Sequence, residues 1–178
     1  LGNHNPVILL PLQAGGDFRK LAKMSTQVTQ EKAMSDFRAL SARYAAAPQL
    51  GLDDFAAARA AGYVMVICHR PDDEEPGQLT MAQASEAAAA QGLMFRAAPY
   101  AGGLTQDAYD ATMKAMAQAN GPILAYCRSG TRSTIAWAFV EASRGAQIEA
   151  IVHAASAQGY DLRPHEAALR HFQEQNKG

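Results

Sequence analysis

Cys127 and Arg132, with four residues between them, are the pair in this chain that could transfer a group. They lie in the run Ile123-Leu124-Ala125-Tyr126-Cys127-Arg128-Ser129-Gly130-Thr131-Arg132-Ser133. A cysteine thiolate is a nucleophile, and a guanidinium is shaped to hold an oxyanion in front of it. Four apolar residues behind Gly121-Pro122 read as a short buried strand, and a helix-compatible run, 134–143, begins where the loop ends. Cys127 is therefore expected where a strand gives way to a helix. There the amides of residues 128 to 132 and the positive end of the helix dipole face the sulfur, so the thiolate is expected at neutral pH. The same amides, with Arg132 and Arg128, would hold a tetrahedral anion, and Ser129, Thr131 and Ser133 belong to that cradle. Gly130 lets the backbone take the positive φ such a loop needs. The plainer alternative is an inert thiol in a tight turn, which would not need the strand, the glycine, two arginines and the helix together.

The elements that must position this loop follow from local signals. Residues 52–61 read as a helix after Gly51, with Asp53 and Asp54 in its first turn and Gly62 ending it. Residues 63–67 follow as a buried strand. Thr80-Met81-Ala82-Gln83 has capping-box form and opens an alanine-rich helix to about Gln91, with Gly92 as its stop. Residues 93–97 form the next strand, and Thr105 caps a helix to about Ala119 on which Tyr109, Met113 and Met116 share a face. Alternating strands and helices with such connections imply a parallel sheet flanked by helices, an α/β fold. Functional residues then gather at the carboxyl ends of the strands, so Cys127, the 68–75 stretch and the 99–107 loop are expected on one rim. Two further helices, 148–158 and 164–173, read as packing elements closed by Leu169 and Phe172.

The chain has 178 residues, 48% hydrophobic and 19% charged, with a formal charge of −1, which suits one folded domain and supplies no electrostatic footprint for nucleic acid or an anionic membrane. Residues 1–33 show no sustained period and are expected to be a mobile extension, with a partial helix over 20–33; residues 34–178 look like the domain. The apolar patch 7–12 is short, contains Pro11 and lacks a preceding basic segment, so it resembles neither a signal peptide nor a membrane span. Two cysteines, Cys68 and Cys127, are too few for a disulfide scaffold, and a reducing, cytoplasmic setting is expected.

With strand, cradle and helix in place, residues 36 to about 162 resemble the phosphatase-like domain named after beta-lactamase-hydrolase-like proteins, a bacterial relative of the protein tyrosine phosphatases. The matching stretches are Asp36-Phe37-Arg38, Pro48-Gln49-Leu50, Arg70-Pro71-Asp72 with Glu74-Glu75-Pro76-Gly77-Gln78, Gly102-Gly103-Leu104-Thr105, and residues 125–133. The resemblance implies a tyrosine-phosphatase-like fold with Cys127 as nucleophile and Arg132 as oxyanion ligand. It implies a small anionic substrate or a phosphoprotein, and no metal or cofactor. Cys68-His69 departs from the family, which usually carries polar residues such as asparagine there.

The reaction has two readings. Phosphate monoester hydrolysis through a phosphocysteine is the first. Tyrosine phosphatases follow Cys-x5-Arg, however, and this loop is one residue shorter, resembling the Cys-Arg-x-Gly-x-Arg loop of rhodaneses, in which the cysteine carries a persulfide. Sulfur transfer through Cys127 is therefore the alternative, and a non-catalytic anion-binding module is a weaker third. Ester cleavage is helped by an acid that protonates the leaving oxygen. The loop Ala98-Pro99-Tyr100-Ala101-Gly102-Gly103, where the resemblance would place it, has no carboxylate. Asp107 is the nearest substitute and the 72–75 cluster a second source, although each also suits a helix cap or a solvated face. Arg70 could reach the anion or pair with Asp72, Glu74 or Glu75. Cys68 could form a disulfide with Cys127 or remain a buried thiol, and His69 has no spacing partner for a metal. His153, His165 and His171 read as surface residues of the helical tail.

Overall fold

A computed structural model describes residues 37–176. The expected extension over 1–33 and its partial helix lie outside the described residues. The elements are β1 (Arg38–Ser41), β2 (Tyr44–Ala47), α1 (Leu52–Ala60), β3 (Met65–Cys68), α2 (Met81–Ala90), β4 (Met94–Ala97), α3 (Gln106–Gln118), β5 (Ile123–Tyr126), α4 (Thr131–Ser143), α5 (Ile148–Ala157), a 3-10 turn (Arg163–His165) and α6 (Glu166–Gln175). Together they form an α/β fold.

The local signals that start and stop the helices are realised as bonds. Thr80 Oγ1 accepts from Gln83 N at 3.2 Å while Gln83 Oε1 accepts from Thr80 N at 3.0 Å, so two otherwise orphaned donors are satisfied at the start of α2. At α1 the Asp54 carboxylate accepts from Gly51 N at 2.7 Å. α4 departs from expectation by starting at Thr131 rather than Thr134, which moves Arg132 and Ser133 out of the loop and into the first helical turn. The 3-10 turn likewise separates Pro164 from α6, which starts at Glu166.

The sheet has five strands in the order β1-β2-β5-β3-β4. β2, β5, β3 and β4 are parallel, with Ala47 opposite Tyr126 and Tyr126 opposite Cys68. β1 is antiparallel to β2, so the sheet is parallel except for one edge hairpin. The sequence hid this hairpin because Arg38-Ala-Leu-Ser-Ala-Arg-Tyr-Ala-Ala-Ala carries an alanine run that favours helix locally, whereas pairing of the fully buried β2 with the central strand decides otherwise.

Side chains alternate across the sheet and divide the core in two. Ile123 and Ala125 of β5 face a cluster with Met65, Ile67, Trp137, Ala138, Ile148, Ile151 and Leu169, beneath α3 to α6. Leu124 and Tyr126 face the other way, with Val66 and Cys68, onto Phe55 and Ala58 of α1 and Ala84 and Ala88 of α2. Phe172 meets the rings of Tyr109 and Phe139 at 5.1 and 5.3 Å, closing α6 onto α3 and α4. Among the described residues no helix is long and apolar enough to cross a membrane.

Candidate active site

The chain visits β2, β3 and β4 before returning to place β5 between β2 and β3, so the order reverses at the end of β5, the switch point at which such sheets bind their ligands. Cys127 leaves the central strand there, flanked by Gln49 after β2 and by His69 and Arg70 after β3, with Tyr100 beyond β4. Cross-strand bonds fix the exits: Cys127 N donates to Ala47 O at 3.4 Å, His69 N to Tyr126 O at 2.9 Å, and Gln49 N to Arg128 O at 3.2 Å.

The loop turns back on the sulfur. Gly130 N donates to Cys127 Sγ at 3.1 Å, and Gly130, at φ 92°, is the N-cap of α4. A Cβ at this position would also stand 2.0 Å from the hydroxyl oxygen of Tyr160 and 2.8 Å from its ring, so glycine is required twice over. The sulfur is deeply set: Cys127 is 1% exposed. Arg128, Ser129 and Thr131 form the exposed mouth, where the hydroxyls of Ser129 and Thr131 lie 3.1 Å apart.

Arg132 reaches this sulfur from the first turn of α4 and interacts with it. Its guanidinium is held from two sides. Nη1 donates to Tyr100 O at 2.9 Å and to His69 O at 3.5 Å, and Nη2 donates to Glu74 at 2.8 Å. The Tyr100 hydroxyl donates to Arg132 O at 2.7 Å, so one residue clamps both ends of the arginine.

Arg70, expected as a possible anion ligand, is engaged by the side chains of the rim instead. Its side chain is 3% exposed, and its nitrogens donate to Glu74 at 2.7 Å, Gln49 at 2.8 Å and Glu75 at 2.8 Å. The sequence offered this pairing as the alternative, and the register of β2 beside β5 brings Gln49 in as the third partner. Glu75 also pairs with Arg128 at 3.2 Å. The guanidinium of Arg132, then that of Arg70, holds the Glu74 carboxyl below the usual carboxylate range; Arg70, then Arg128, does the same for Glu75. Asp72 accepts from Met81 N at 2.8 Å and serves the start of α2.

Asp107 is exposed in the first turn of α3, and none of the hydrogen bonds among the described residues joins it to Cys127, Arg132 or their partners. Cys68 and Cys127 are both free. Cys68 shares the α1 and α2 face with Tyr126 opposite it, whereas Cys127 turns its sulfur to the start of α4 on the other face. Adjacent positions on opposite faces do not point their Cβ vectors at each other, so the disulfide alternative is not favoured.

The sequence did not disclose the role of His69. It is 0% exposed, with Nε2 2.9 Å from Thr112 Oγ1 and Nδ1 3.1 Å from Ser133 Oγ. Thr112 donates its only proton to Ala108 O at 2.6 Å, so its oxygen accepts from His69 Nε2–H. Burial and the Arg132 charge push the imidazole down to about 3, so it is neutral and its Nδ1 accepts the Ser133 proton. Ser133 thus points its hydroxyl hydrogen at His69, and His69 braces the first turn of α4 while its carbonyl receives Arg132. A histidine beside a cysteine carries no spacing signal for such a bridge, which joins residues 64 and 43 positions apart.

Comparisons with known proteins give the family and the fold. Residues 36–144 match the family model described as the phosphatase-like domain of beta-lactamase hydrolase-like protein, and the chain belongs to that family. A beta-lactamase hydrolase-like protein of Agrobacterium fabrum is 34% identical over 125 residues, covering 69% of this chain but 29% of the relative. The chain therefore matches under a third of that protein's length. A putative phosphatase from Neisseria meningitidis has 28% identity and a TM-score of 0.68, covering 78% of this chain and 98% of the other. Tk-PTP in its active form, at 13% identity, shares the fold, with a TM-score of 0.60 over 79% of this chain and 97% of that one. The architecture is that of a protein-tyrosine-phosphatase-like α/β domain.

Proposed function

We propose that this member of the family is a cysteine-dependent phosphatase that hydrolyses a phosphate monoester through a phosphocysteine on Cys127. One observation carries the reading: the sulfur sits at the start of α4, receives an amide hydrogen from Gly130 at 3.1 Å, and is faced by an arginine fixed from two sides. That arrangement supplies positive potential where equatorial phosphoryl oxygens gain charge, with no reorganisation when they do. The thiolate attacks phosphorus and displaces the ester oxygen; water then attacks the thiophosphate and releases phosphate with the sulfur restored. Arg132 has donor capacity left for two substrate oxygens while Glu74 and Tyr100 hold its orientation. A small anionic compound or a phosphoprotein fits as substrate, and two free cysteines fit a reducing, cytoplasmic setting.

Sulfur transfer is the second reading, favoured by the four-residue gap between Cys127 and Arg132 and by the 1% exposure of the cysteine, which suit a compact group on sulfur. Intact mass after incubation with an aryl phosphate or with thiosulfate separates the two. A trapped phosphoryl adduct and phosphate release that both vanish in Cys127→Ser support hydrolysis. A gain of one sulfur atom from thiosulfate, with no phosphoryl adduct, replaces it with sulfur transfer. Phosphate release that survives Cys127→Ser sinks the phosphocysteine.

A further inference from the structure

Resting on the phosphatase reading, we propose that the leaving oxygen departs without being protonated, so that the site selects activated phosphates: acyl phosphates and electron-poor aryl or enol phosphates, rather than alkyl esters. Among the described residues, the carboxylates of the rim are either paired with other groups or joined by no bond to the cradle. Glu74 bridges Arg70 and Arg132 at 2.7 and 2.8 Å, and Glu75 bridges Arg70 and Arg128 at 2.8 and 3.2 Å. A carboxylate between two guanidiniums is an acceptor, and a proton placed on it would break the pairs that orient Arg132. Asp72 serves the amide of Met81, and Asp73, exposed, lines a surface recess with Glu75, Pro76, Gly77, Gln78 and Thr80. Asp107 is joined to nothing in the cradle, and the 98–103 loop has no acid.

Two nearby proton carriers, His69 and Tyr100, are engaged as well. The single imidazole proton of His69 faces Thr112, and the Tyr100 hydroxyl donates to Arg132 O at 2.7 Å. A leaving alkoxide would have to form unaided, which costs a large part of the barrier, whereas a carboxylate or electron-poor phenolate leaves as a stable anion. In the first step an S–P bond forms and the P–O bond breaks, with the oxygen taking the electron pair and no proton moving. In the second, a water oxygen bonds to phosphorus, the S–P pair returns to sulfur, and the water hydrogens stay with phosphate and solvent.

The test is kcat/KM for dinitrophenyl, nitrophenyl and phenyl phosphate, whose leaving groups span pKa values from about 4 to about 10, with an alkyl phosphate and acetyl phosphate alongside. The expected result is a fall of at least about fivefold per unit of leaving-group pKa, rapid turnover of acetyl phosphate and none of the alkyl ester. A nearly flat series, under about twofold per unit, overturns the inference while leaving the phosphatase reading standing. Loss of phenyl phosphate turnover alone in Asp107→Asn would identify the proton donor and overturn it too. No turnover and no phosphoryl adduct with even the dinitrophenyl ester overturns both.

Discussion

Glu74 and Arg132, 58 positions apart in the chain, are joined at 2.8 Å, and the same carboxylate oxygen of Glu74 accepts from Arg70 at 2.7 Å. The β3–α2 connection therefore aims the arginine that faces the Cys127 sulfur. Glu74→Gln keeps the size of the side chain but removes the charge that both guanidiniums share. A lost charge-assisted bond of about 1.5 kcal/mol corresponds to roughly a tenfold lower kcat, with the fold intact by circular dichroism. Steady-state kinetics showing unchanged or faster turnover would mean that Glu74 competes with substrate for Arg132 rather than positioning it.

Gly130 cannot be replaced without two separate penalties. Alanine would be strained at φ 92° by about 1–3 kcal/mol and would overlap Tyr160, for a combined loss of about 3 kcal/mol in urea denaturation. In a Tyr160→Ala background the overlap is already gone. Gly130→Ala should therefore cost measurably less there, and an equal cost in both backgrounds would show that the tyrosine is not the obstacle.

His69 makes stability depend on pH. Its folded pKa, near 3, lies below the ordinary 6.5, so between these values the unfolded chain binds more protons than the native one. Stability from this source is complete above about pH 6.5 and falls as pH drops through the window, by at most about 1.4 kcal/mol per unit. Chemical denaturation at pH 7 and pH 5 should show a loss about 2 kcal/mol larger in the natural protein than in His69→Asn. Equal losses would place the acid sensitivity elsewhere.

Cys68 and Cys127 should stay unlinked under a thiol oxidant, because their side chains leave opposite faces of the sheet. Mass spectrometry after diamide, with and without Cys68→Ser, reads this directly. Loss of two hydrogens from the monomer only when Cys68 is present would contradict the geometry.

Much of this architecture was legible in the chain because its signals are local. The apolar run before Cys127, the positive-φ glycine after it, the Thr80 to Gln83 capping box and the glycine stops each act within a few residues, so strand, loop and helix could be read without knowing their neighbours. The β1–β2 hairpin could not, because its alanines carry no strand preference of their own. Nor could the choice among partners for Arg70, the exposed position of Asp107, or the bridge from Thr112 through His69 to Ser133. Those depend on β5 lying between β2 and β3 in one register, which brings Gln49, Arg70, Glu74 and Arg132 to a common rim. The sequence by itself determined a cysteine at the mouth of a helix. Only the tertiary structure decided which charges surround it, because ion pairs between residues dozens of positions apart form according to strand order and packing, not local preference.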